Sequence, residues 1–268
     1  MLEEKRQLDQ LVRRQRVSSE QRRRNIQMMI DAIHATSPCL IRGNFDRIHP
    51  DDLELLFELY DEYFFNNLIR KSLPRKLLTF RISKRMTSVG GTTTRWPRQS
   101  ILRPPRFEIA VSSTLLFQSF QDPERRITVT GIECDHRLDA LMRVFEHEMV
   151  HLLELFLWEN SSCSLHRFQT IAHSNFGHTD HRHDLLTPSE AAFTQFGIRP
   201  GVQVSFRFEG RTLTGIVNRV TKRATVLVLD PAGRRYSDGK RYSKFYIPVS
   251  DLDAVSYTHL TLPTIYSV

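Results

Sequence analysis

The stretch FEHEMVHLLELFLW, residues 145–158, sets His147 and His151 four apart with Glu148 between them. Four residues advance a helix by a little over one turn, so both imidazoles project from one face and can share one tetrahedral ion, with Glu148 beside it. In this H-E-x-x-H arrangement the carboxylate is not a ligand. It takes a proton from the water that the metal activates for attack on a polarised carbonyl. The plainer alternative is a helix bearing two surface histidines. Leu138, Leu141, Val144, Phe145, Val150, Leu152, Leu153, Leu155, Phe156 and Trp158 argue against it, because they make the segment apolar nearly all round and therefore buried. Buried His and Glu side chains need partners, and Zn2+ supplies one. The expected centre is thus His147 and His151 on zinc, with Glu148 as catalytic base.

The elements that must hold this centre can be read on either side of it. HPDDLELLFELYDEYFFNNLI opens with Pro50 and acids in its first turn and repeats apolar residues at Leu53, Leu56, Phe57, Tyr60 and Phe64, the spacing of one buried helical face. KLLTFRIS and RFEIAVS read as strands, SVGGTTT as a turn between them, and RRITVTGIECD leads into the metal-bearing helix. Residues 45–190 form this mixed α and β domain. Before it, residues 1–44 are a basic helical segment with a weak apolar stripe, expected to dock or to stay mobile. After it, residues 197–254 carry the strand-like pieces GVQVSFRF, RTLTGIVNRV, RATVLVLD and KFYIPV, split by the turn signals EGR, DPAG and SDGK, the pattern of a small all-β barrel. Gly201, Gly210 and Gly215 fall where its strands bend. VSYTHLTLPT, within residues 255–268, resembles a translated transposase-derived sequencing adaptor and is left out of the fold.

A third ligand has to come from beyond the helix. The helix is expected to run past His151 to about Glu159, roughly 12 Å from the metal at about 1.5 Å per residue. NSSCS then joins it to a return helix capped by Ser164, with Phe168, Ile171, Ala172 and Phe176 on one face and Gly177 as the stop. That path brings His178 back to the level of the zinc, with Asp180 or Asp184 to orient an imidazole. His166 competes if ENSSCSL is extended. Cys163 is read as a free core thiol, and His181 and His183 as part of a surface loop.

The 268 residues carry a net charge of +8, distributed as +4 over residues 1–44 (9 Lys/Arg, 5 Asp/Glu), +6 over 197–254 (11 and 5) and −2 between. Basic flanks suit DNA or RNA, and equally suit two solvated faces. Arg219, Lys222, Arg223, Arg234, Arg235, Lys240 and Arg241, with Tyr236, Tyr242 and Phe245 nearby, favour a polyanion held through phosphate contacts and stacking. LLELFLW is too short to cross a bilayer, so no membrane is expected, and the N-terminus lacks the apolar stretch of a signal peptide. Three scattered cysteines, Cys39, Cys134 and Cys163, fit a reducing cytoplasm, where association with a nucleoid is open.

LFELYDEYFFNNLI, FRISKRMTSVGGTTT, FEIAVSSTLL and DALMRVFEHEMVHLLEL, in that order and spacing, resemble the SprT-like, Spartan-related zinc metallopeptidases over about residues 45–176. The resemblance implies an α+β fold: a zincin-like domain, here with an N-terminal basic helical segment and an appended SH3-like or KOW-type barrel. It also implies a strand edge along which an extended peptide substrate is held, His147 and His151 as ligands, and Glu148 as base. The family usually places a histidine where anchoring on Phe168 and Ala172 puts Ser164, with His166 two residues away. The expected function is a zinc-dependent endopeptidase acting on protein or peptide, including nucleic-acid-associated protein. The alternative is a nucleic-acid or chromatin-binding protein whose zinc domain is structural.

Overall fold

A computed structural model describes residues 2–97, 104–122 and 124–255, so the adaptor-like tail lies outside the described residues apart from Val255. The fold is mixed α+β, with eight α-helices and several sheets among these residues. The chain divides into two compact units, 1–185 and 186–268. No helix among the described residues is long and apolar enough to cross a membrane.

The first unit begins with α1 (Leu2–Arg14) and α2 (Ser19–Thr36), which place Leu8, Val12, Met29 and Ile33 in its core. Residues 1–44 are therefore built into this unit. Pairs spaced four apart give each helix a narrow buried seam, which is why the apolar stripe looks weak in the sequence. α3 (Pro50–Phe65) starts with a reciprocal cap between His49 and Asp52 and buries Leu53, Leu56, Phe57, Tyr60 and Phe64. After α4 (Leu68–Ser72), the strands β1 (Leu78–Ser83), β2 (Gly91–Trp96) and β3 (Arg106–Ser112) form a sheet in the order β1-β3-β2. β1 runs parallel to β3 and β2 antiparallel to it, so β2 is an edge. SVGGTTT is therefore not a turn throughout: its second glycine already belongs to β2.

α5 (Ser113–Ser119) leads to a hairpin of β4 (Ile127–Val129) and β5 (Ile132–Cys134), whose turn uses positive φ at Thr130 (54°) and Gly131 (80°). α6 (Arg137–Trp158) follows, ends at a left-handed Glu159, and lies against β2, β3 and β4 with its middle turns buried. α7 (His166–Phe176) begins one residue later than a Ser164 cap requires, its N-cap Leu165 makes no side-chain bond, and Gly177 closes it.

The second unit opens with α8 (Pro188–Phe196), capped by Thr187 and Glu190. Its strands β6 (Gln203–Phe208), β7 (Arg211–Val220), β8 (Ala224–Arg235), β9 (Arg241–Ile247) and β10 (Asp253–Ala254) make an antiparallel sheet ordered β10-β6-β7-β8-β9. Glu209 and Gly210 form the first hairpin turn, with positive φ at both. DPAG does not reverse the chain. It lies inside β8 as an irregularity between Leu229 and Arg234, where the register against β9 shifts.

Candidate metal centre and cleft

α6 presents His147, Glu148 and His151 to a cavity of about 630 Å³, within the usual size of a ligand site. The start of β2 forms one wall, and Val129, Thr130 and residues 181–183 form another. The Nε2 atoms of His147 and His151 face each other at 3.1 Å. Two nitrogens about 2.0–2.1 Å from one tetrahedral ion would stand about 3.3 Å apart, so the pair is set to share a cation. Phe168 of α7 packs on both rings, at centroid distances of 4.8 and 4.5 Å. Burial pushes His147 down to about 3, helped by the neighbouring histidines, and His151 down to about 4. Both are therefore neutral imidazoles with a lone pair to offer.

Cys163 completes the cluster. Its Sγ and one nitrogen from each of His147 and His151 all lie within 4.8 Å of one another. This is looser than the ~3.6 Å expected between sulfur and nitrogen on one tetrahedral ion, so binding would draw the thiol inward by about 1 Å. Two imidazoles and a thiol are a donor set suited to a divalent cation such as zinc.

The other histidines are placed differently. His178 is buried against α6 beside Glu146, the residue before His147, and its Nε2 donates to Glu146 Oε2 at 2.8 Å. Arg143 and the Tyr60 hydroxyl bond the same carboxylate, at 2.7 and 2.8 Å. Burial alone would raise Glu146, but Arg143 and His178 outweigh it and hold it below the usual carboxylate range. Asp180 accepts from the backbone of His181 and Arg182, and Asp184 from Thr128 N, so neither orients His178. His166 is exposed, with Nδ1 3.0 Å from the Thr170 hydroxyl. His181 and His183, read from the sequence as a surface loop, line the cavity. The backbone of 182–184 is bonded to β4 through a single antiparallel bridge, Val129 to His183, and His183 Nε2 accepts from Gly90 N at 2.9 Å.

Glu148 is buried, and its Oε2 accepts from the Thr93 hydroxyl at 2.8 Å. Burial pushes it up to about 8, with Thr93 working the other way, and a nearby dication would oppose the rise further. Gly91 is the reason it fits. A Cβ there would stand 2.7 Å from both Cγ and Oε1 of Glu148, while one on Gly90 would touch Val144, one turn earlier on α6. The paired glycines thus let β2 cross the helix at backbone distance. A bond from Ser112 N to the Gly90 carbonyl sets the alternation of the ladder. The N–H groups of Thr92, Thr94 and Trp96 therefore pair into β3, and those of Gly91, Thr93 and Arg95 point away from it, toward a side of β2 that pairs with no other strand among the described residues.

His151 has a second set of contacts. Its Nδ1 lies 2.7 Å from the Ser161 hydroxyl, which donates to Glu154 Oε2 at 2.6 Å. Arg167 Nε holds the other oxygen of Glu154 at 2.5 Å.

In the second unit Arg219, Lys222, Arg223, Arg234, Arg235, Lys240 and Arg241 are all exposed. Arg235 and Arg241 stand directly opposite each other across β8 and β9, an arrangement that costs energy without a counterion. Tyr236 and Tyr242 are buried on each other, with ring centroids 5.2 Å apart, and Phe245 packs beside Phe206, so the aromatics singled out in the sequence serve the interior. Tyr246 is the exposed ring on β9.

Comparison of the chain with protein-family models, curated proteins and solved structures finds no match.

Proposed function

We propose that this chain is a zinc-dependent endopeptidase, with His147, His151 and Cys163 as metal ligands and Glu148 as general base. The carrying observation is the pair of Nε2 atoms 3.1 Å apart on a cavity wall beside a buried carboxylate. In this reading the first unit is a zincin-like domain of SprT-like kind, and the second is an SH3-like or KOW-type module that meets a polyanion. A free thiol as ligand suits a reducing compartment such as the cytoplasm.

Bound zinc would supply Lewis-acid polarisation of the scissile carbonyl and activation of water. Glu148 accepts the proton from that water and passes it to the leaving nitrogen. Thr93 holds the carboxylate in place, and Gly91 leaves room for it. The outward amides of Gly91, Thr93 and Arg95 offer hydrogen bonds to a substrate lying extended along β2. A purely structural zinc site, the competing reading, has no use for a carboxylate at a cavity wall beside its ligands.

The test is metal analysis of the purified protein together with cleavage of an unstructured protein, with and without single-stranded DNA. Glu148→Gln should keep fold and zinc yet lower cleavage by about 10² or more, because the amide cannot accept the proton. Cleavage equal to that of the parent would rule out the peptidase reading.

A further inference from the structure

We propose that Ser161 and Glu154 are positioning residues of the metal centre. With Arg167 they lock His151 as the tautomer protonated on Nδ1, and they hold the connector that brings Cys163 to the metal. This inference rests on the metal-centre reading above and adds to it residues outside the H-E-x-x-H motif.

Glu154 is fully buried, and its Oε1 is held by Arg167 Nε at 2.5 Å, so it acts as an acceptor. A serine hydroxyl has a single proton. At 2.6 Å from Glu154 Oε2, Ser161 spends that proton on the carboxylate. Its remaining capacity toward His151 Nδ1, 2.7 Å away, is as an acceptor, so Nδ1 must carry the hydrogen. The neutral ring then has a bare Nε2, the atom that faces His147 Nε2. A carboxylate fixes the imidazole through one hydroxyl, a relayed form of the usual carboxylate–histidine support of metal ligands.

The same atoms hold the connector. Glu154 follows His151 by one helical turn, and Ser161 precedes Cys163 by two residues. Arg167 Nη2 also donates to the carbonyl and side-chain oxygens of Asn160, at 3.0 and 2.6 Å. Its guanidinium lies 4.5 Å from the Trp158 ring centroid. The segment between α6 and α7 is thus tied back onto α6 where it delivers the thiol. His147 has no equivalent: its Nδ1 is buried without a hydrogen-bond partner among the described residues.

The experiment uses the full chain with ¹⁵N-labelled histidine. Two-bond ¹⁵N–¹H correlations on metal-free protein read each histidine's tautomer, and competition with a chromophoric chelator reads zinc affinity. The parent should show His151 protonated on Nδ1. Ser161→Ala should move His151 toward the Nε2-protonated form and weaken zinc binding by about 10–100-fold, and Ser161→Thr should restore both. Glu154→Gln should weaken zinc binding in the same direction, and serves if Ser161→Ala does not fold. An Nε2-protonated His151 in the parent, or parental zinc affinity in Ser161→Ala, overturns the inference while the metal-centre reading stands. A parent that binds no zinc overturns both.

Discussion

Glu146, His147 and Glu148 are consecutive on α6 and end in three different surroundings. Successive residues point about 100° apart around a helix. Glu146 therefore faces Arg143, Tyr60 and His178 in the core, His147 faces His151, and Glu148 faces β2. From this follows a contrast between two variants. Cys163→Ala should lose tightly bound zinc. His178→Ala should keep it and lose about 1–3 kcal/mol of stability, because a buried carboxylate loses a partner. Zinc content and urea unfolding, measured side by side, check both, and zinc loss in His178→Ala alone would return that residue to the ligand set. The H-E-x-x-H spacing, the burial of the helix and the stop at Gly177 could be read in the sequence. The place of Cys163 beside the two histidines could not. Rise per residue gives the height at which a returning chain passes a metal, but not the side of the helix on which it passes.

At the scale of elements, the site depends on how closely β2 crosses α6. Gly91→Ala places a methyl group 2.7 Å from the Glu148 carboxylate. Zinc should still bind, since neither His147 nor His151 touches that Cβ position within 4 Å among its nearest neighbours. Peptidase activity should fall by about 10²-fold, the scale expected for a catalytic group displaced by about 1 Å. Cleavage assays on zinc-loaded Gly91→Ala and parent protein test this, and parental activity would mean the carboxylate has room to shift. Paired glycines signal either a turn or a close backbone approach, and only the partner surface tells which. The same ambiguity affects DPAG, where Pro and Gly mark an irregularity inside β8. By contrast α3 was legible throughout, because Pro50, the acids after it and a repeating apolar face all agree.

At the scale of the whole molecule, the two units carry charge differently. In the first, arginines are drawn into ion pairs, such as Arg143 with Glu146 and Arg167 with Glu154. In the second, Arg234, Arg235, Lys240 and Arg241 cluster at the β8–β9 hairpin, with Arg235 facing Arg241. Affinity for single-stranded DNA should fall steeply as salt rises, and replacing these four residues by Ser should flatten the slope by up to about 3 in log–log terms. Absence of binding at low salt would leave the module without this partner. The charge asymmetry was visible in the sequence, but the fate of the tyrosines was not: alternation along a strand does not say which face a neighbouring segment covers. The N-terminal helices hid in the same way. Their seam, through Leu8, Val12, Met29 and Ile33, is narrow, and Asp9 also accepts from Trp158 Nε1 at 2.8 Å.

The alternation of amides along β2 should show itself in time. Thr92, Thr94 and Trp96 give their protons to β3 and should exchange with deuterium slowly, while Gly91, Thr93 and Arg95, turned away from β3, should exchange fast. Arg95 is paired with Glu159 at 3.1 Å, and Gly90 with His183, so the strand is fastened near both ends and the rhythm of two should persist in the unliganded protein. A peptide settling along the edge would then slow every second amide and leave its neighbours almost unchanged, recording the direction and length of the bound chain one residue at a time.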